Sequence, residues 1–93
     1  MMKKETMMRN VEKRFKLEFV RPSEYWDGHE GGIMISAENG EENAHGWPLF
    51  DYYIENYTRY EFGVLNEFRL WVEKRGWFCE WCNPGVLMLW PNN

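Results

Sequence analysis

Cys79-Glu80-Trp81-Cys82 is the stretch whose residue types come closest to chemistry. Two thiols at this spacing serve either disulfide exchange or zinc. A redox pair wants a helix N-terminus, where the dipole lowers the thiol pKa. Here the pair falls on a predicted strand that follows a helix. A structural zinc wants two further ligands, and His29 and His45 are the two histidines of the chain. The turn at Asn83-Pro84-Gly85 would let the sulfurs converge, but cysteines three apart on a flat strand face opposite sides. The pair reads first as two small apolar thiols. Cys79 and Cys82 remain the ligands of a third-ranked alternative, a zinc-stabilised structural module.

Asp27-Gly28-His29-Glu30 groups a possible base with carboxylates. Catalysis would also need a nucleophile, an oxyanion donor or a metal cluster beside it, and the sequence offers no such motif. Ser23, Ser36, Thr6 and Thr58 have ordinary local explanations. No glycine-rich phosphate cradle of the P-loop or dinucleotide type occurs. The expectation is no enzyme and no cofactor.

The more telling cluster is aromatic. Trp47, Phe50, Tyr52, Tyr53, Tyr57 and Tyr60 are interleaved with Asp51, Glu55 and Arg59. Tyr and Trp dominate binding hot spots because they offer large, rigid area with a polar tip. Stacking on nucleobases is the other use of such rings, but it comes with basic flanks, and Arg59 alone supplies one. About half of these rings are expected to wrap a helix onto a sheet.

Charge divides the chain. Residues 1–16 carry net +4 and the remainder net −8. The body should repel nucleic acid and attract basic surfaces. Glu38, Glu41 and Glu42 concentrate that charge in a turn-rich loop, and with Trp47, Asp51, Tyr52, Tyr53, Glu55 and Tyr57 they form the predicted partner-binding set. The basic leader, residues 1–11, has no clean period and is expected to fray.

The elements that must position these residues follow from periodicity. Thr58 and Glu61 have capping-box spacing. Val64, Leu65, Phe68, Trp71 and Val72 recur at helical intervals, Lys74 and Arg75 suit a helix C-terminus, and Gly76 suits the left-handed residue after it. This predicts one main helix over about 59–75, with Gly63 weakening its first turn. Trp77–Cys82 alternates, Asn83-Pro84-Gly85 is turn chemistry, and Val86–Trp90 completes a β-hairpin. Upstream, Phe15, Leu17 and Phe19 alternate within residues 13–21, and Ile33, Ile35 and Ala37 mark a second strand. Residues 47–57 suit a helical turn or an ordered loop equally. The expected fold is α+β, in the order β-β-α-β-β: a mostly antiparallel four-stranded sheet with one helix packed on it, in a single domain over residues 1–93.

No apolar run approaches the roughly 20 residues that span a bilayer, and no apolar stretch follows the charged N-terminus as in a secretory signal. Two cysteines without a disulfide framework suit a reducing cytosol, so a cytoplasmic protein without membrane contact is expected.

The run Leu49–Pro91, with Phe-Gly-Val-Leu-Asn-Glu-Phe at 62–68, Glu-Lys-Arg-Gly-Trp at 73–77 and Glu-Trp at 80–81 before a glycine turn, resembles small open reading frames of bacteriophages and mobile elements. The resemblance implies a class: small acidic proteins, anti-CRISPR and other anti-defence inhibitors among them, that bind and block a host factor. On this reading the chain is a non-enzymatic inhibitor of a host nucleic-acid-handling complex. It would engage a host protein, not nucleic acid itself, as a monomer or homodimer. The alternative is a binder that sequesters a nucleotide or another small molecule between its rings.

Overall fold

A computed structural model describes residues 2–37 and 46–92. Its elements are α1 (Lys4–Phe15), β1 (Val20–Pro22), α2 (Glu24–Asp27), β2 (Ile33–Ser36), β3 (Tyr60–Glu61), β4 (Val64–Leu65), α3 (Asn66–Lys74), β5 (Trp77–Asn83) and β6 (Val86–Pro91). The expected α+β architecture is present. β1, β2, β6 and β5 form a four-stranded antiparallel sheet in that order, and β3 and β4 form a separate two-stranded ribbon.

The C-terminal hairpin follows its sequence pattern. Trp77, Cys79 and Trp81 lie on the side of the main core, packed with Ile33, Ile35, Leu87 and Leu89. On the opposite face Met34, Val86 and Met88 make a smaller cluster flanked by Phe19 and Trp90. The turn is closed by the Gly85 amide, which donates to the Asn83 side-chain oxygen at 2.8 Å. Gly76, at φ 83°, takes the left-handed position that ends α3.

Three expectations need correction. The leader does not fray. It is α1, whose Met7, Val11 and Phe15 recur every fourth residue and are buried. Burying such side chains is worth about 1.5–3 kcal/mol each, which outweighs the weak repulsion between solvated cations. The chain is also fastened at its start. The Met2 amide donates to the Arg75 carbonyl at 3.1 Å, and the Trp77 indole donates to the Met2 carbonyl at 2.7 Å. Lys4 pairs with Glu24 at 2.8 Å, and that hydrogen bond holds the Glu24 carboxyl below the usual carboxylate range.

The alternation over residues 13–21 is real but not a strand of that length. Phe15 closes α1, Lys16 turns the chain at φ 56°, and only Val20–Pro22 pairs with β2. Phe15 and Leu17 still reach the core.

The main helix is shorter than predicted, starting at Asn66 and not near residue 59. Phe62 at φ 50° and Gly63 at φ 77° make a two-residue left-handed loop that pairs Tyr60–Glu61 with Val64–Leu65. A loop of this kind matches the twist of a hairpin and cannot continue a helix. The Thr58–Glu61 capping box therefore does not form. The Thr58 carbonyl accepts from the Asn66 side chain at 3.1 Å, and Glu61 pairs with Arg69 at 2.8 Å. Val64, Leu65, Phe68 and Val72 are buried as expected, but from two elements instead of one.

Candidate protein-binding face

Residues 46–57 contain no helix and form an ordered loop. The loop is clamped to the ribbon by backbone bonds. The Leu65 amide donates to the Leu49 carbonyl at 2.9 Å, and the Asp51 amide donates to the Gly63 carbonyl at 2.8 Å. Phe50 bridges Val64 between them. The approach is close enough to require glycine at 63, because a Cβ there would stand 2.6 Å from the Asp51 carbonyl oxygen. Leu49, Phe50 and Tyr60 are buried, and the Tyr60 hydroxyl donates to the Pro48 carbonyl at 2.6 Å. Burial, with a contribution from Asp51, raises the Tyr60 pKa.

Anchored this way, the loop turns its remaining rings outward. Tyr53 is 76% exposed and Tyr57 80%, and Phe62 at the tip of the ribbon is 84% exposed. Tyr52 stands edge-on between Tyr53 and Trp81, with ring centroids 5.1 and 5.3 Å away. The Trp81 indole donates to the Phe62 carbonyl, tying the ribbon tip to β5. The result is one continuous aromatic face. An open groove of about 480 Å³ runs along it, lined by Tyr52, Tyr53, Tyr57, Phe62, Glu55 and Glu61. A second groove of about 420 Å³ adjoins it, between Phe62, Tyr52, Trp81, Cys79 and Glu80.

The predicted partner-binding set divides on this geometry. Tyr52, Tyr53, Tyr57 and Glu55 come together on the face. Asp51 has a structural task instead. Its side chain accepts from the Tyr53 amide at 3.2 Å and its carbonyl from the Ile54 amide at 3.1 Å, forming the turn that aims the tyrosines. Trp47 is half-buried beneath the Arg59 guanidinium, 4.3 Å from its ring centroid. Glu38, Glu41 and Glu42 lie outside the described residues, as does His45. Phe62 and Trp81, with Glu61, are on the face but were not predicted for it. The signal that could have found Phe62 is Phe62-Gly63 itself, a two-residue turn between Tyr60-Glu61 and Val64-Leu65.

The cysteines are placed differently from each other. Cys79 packs against the core, where burial, reinforced by Glu73 and opposed by Arg69, pushes its thiol pKa up to about 12. Such a thiol is a poor nucleophile. Cys82 is exposed, and its sulfur accepts from the Trp26 indole at 3.1 Å. Among the described residues no group of three or more His, Cys, Asp or Glu is placed to hold a metal ion. Ser23 is buried and structural, donating to the His29 carbonyl at 2.5 Å and accepting from the Gly32 amide at 3.0 Å. Among the described residues no helix is long and apolar enough to cross a membrane. Comparison of the chain with protein-family models, curated proteins and solved structures finds no match.

Proposed function

We propose that this chain is a non-catalytic protein-binding module. Its partner is a host protein whose basic surface ordinarily handles nucleic acid, and its effect is to block that protein. The observation that carries the reading is Phe62. An aromatic residue in the left-handed region costs on the order of 1 kcal/mol or more, and its 84% exposed ring gains nothing from the fold. Asn or Gly would serve the turn better. A residue whose backbone costs stability and whose ring returns almost none is accounted for if the ring is buried when a partner arrives. Tyr52, Tyr53 and Tyr57 extend the same apolar area, and exposed Glu55 on that face, with exposed Glu80 on the other side of β5, supplies the charge that favours a basic partner. The same carboxylates weigh against a nucleotide, whose phosphates they would repel.

The test is affinity capture from bacterial lysate with the wild type and with Phe62→Asn, each repeated with competing DNA and at raised salt. The expected result is enrichment of nucleic-acid-handling proteins by the wild type alone, released by both DNA and salt. An identical set of captured proteins for the two baits would overturn the reading.

A further inference from the structure

The sheet has two edge strands, and they are treated in opposite ways. In β1 the outward groups belong to Val20 and Pro22, because Phe19 and Ser23 bond inward, to Ser36 and Gly32. Pro22 has no amide hydrogen to offer, and the Arg21 guanidinium donates to the Val20 carbonyl at 2.9 Å. This edge is only three residues long, offers no amide at Pro22 and has its Val20 carbonyl occupied, which is how proteins discourage further strand pairing.

β5 runs for seven residues and has no proline or lysine. Its outward groups follow from the ladder. The Asn92 amide bonds the Gly76 carbonyl, so Phe78 and Glu80, two and four residues on, also bond inward, to Trp90 and Met88. The amides and carbonyls of Cys79 and Trp81 therefore point away from the sheet. Among the described residues, no backbone bond outside the β5–β6 ladder uses them. The irregularity between Trp81 and Asn83 ends the usable edge.

The two sides of this edge differ in chemistry. On the core side it is bordered by Phe62, Tyr52 and Trp81. Glu61 and Glu73 lie there too, but both are engaged by Arg69, at 2.8 and 3.2 Å. On the opposite side Glu80 stands exposed beside Phe78. We propose that the free edge of β5 accepts an extended segment of the partner protein as a fifth strand, with apolar side chains toward Phe62 and basic side chains toward Glu80. This rests on the reading of the aromatic face as a protein-binding surface, and names how the partner is held. Main-chain hydrogen bonds to Cys79 and Trp81 supply the attachment, and alternate side chains supply selectivity. A second copy of β5 is the poorer occupant, because it would bring its own Glu80 to an edge that Glu80 already makes acidic, and β5 carries no basic residue to meet it.

The test selects a displayed random peptide library on the full chain, then measures affinity of the selected peptides for the wild type and two variants. Cys79→Pro deletes an outward amide without touching the β5–β6 ladder, a position where proline is tolerated. Phe62→Asn removes the ring. The expected peptides alternate apolar and basic residues. Their affinity should fall about tenfold or more on Cys79→Pro, as one hydrogen bond is lost and a carbonyl is left unpaired. N-methylation of the peptide residue facing Cys79 should give the same loss, and keeps the test valid if Cys79→Pro fails to fold. Peptides that ignore N-methylation yet are lost with Phe62→Asn would overturn strand addition and leave the aromatic face as the binding surface. Failure to select any peptide would overturn strand addition too. A dimer in native mass spectrometry of the protein alone, dissolved by Cys79→Pro, would replace the peptide with a second copy.

Discussion

Two sets of rings in this protein have the same edge-to-face geometry and opposite surroundings. Inside, Phe68 meets Phe15 at 4.8 Å and Phe50 at 4.9 Å, and all three are buried. Outside, Tyr52 meets Tyr53 and Trp81 at 5.1 and 5.3 Å, while Tyr53, Tyr57 and Phe62 remain largely in water. Ring contacts alone do not say what a ring is for. What separates the sets is desolvation: the inner rings have already left water on folding, and the outer ones still have that free energy to gain.

The inner and outer rings should respond differently to substitution. The largest effect is expected for Phe68→Ala, which should cost about 3–5 kcal/mol in urea unfolding, because three core elements meet on that ring. Met7→Ala should cost about 2–5 kcal/mol. A smaller loss there would mean that α1 is an appendage instead of a wall of the core. Gly63→Ala should cost about 1–3 kcal/mol, because the residue sits at φ 77° and its new Cβ would press on Asp51 and Tyr52. It should also disorder the outer rings, visible as loss of the Tyr52–Trp81 contact in near-ultraviolet circular dichroism.

The cysteines sharpen the same contrast between inside and outside. With iodoacetamide at pH 8, Cys82 should label in the native protein and Cys79 only after denaturation. The raised Cys79 pKa also sets a pH dependence. Its thiol stays neutral in the folded state up to about 12, against an ordinary value of 9.0. The unfolded chain therefore releases its proton first as the solution becomes alkaline. This contribution to stability is complete below about pH 9 and declines as the pH rises toward 12. Cys79→Ala should flatten that decline in unfolding midpoints measured between pH 8 and 11. Smallest of all, Tyr57→Ser should change stability by no more than about 0.5 kcal/mol.

Much of the fold could be read from the sequence where period and punctuation agree. Trp77–Cys82, Asn83-Pro84-Gly85 and Val86–Trp90 alternate, turn and alternate again, and the hairpin is there. Two misreadings share a cause. At Val64–Val72, one apolar series spans a strand and a helix, because both elements point their apolar side at one core. At Phe15–Phe19, an alternating series spans the end of a helix and a connector. Local period reports burial correctly in both cases but not the backbone that achieves it. The helix α1 was obscured by its four cations, Lys4, Arg9, Lys13 and Arg14, which lie outside the Met7–Val11–Phe15 stripe that matters. At the candidate site, the tyrosines were legible from composition. Phe62 was legible only by reading Phe62-Gly63 as a left-handed turn, and Trp81 was not, since its approach depends on a tertiary hydrogen bond.

Phe62 carries the proposed binding role, and a urea unfolding curve of Phe62→Asn tests it. Asparagine relieves the left-handed strain and removes an exposed apolar ring, so the midpoint should stay level or rise, with the m-value unchanged. A fall of about 2 kcal/mol or more would place Phe62 among the rings that hold the fold, and would contradict the claim that it is held ready for a partner.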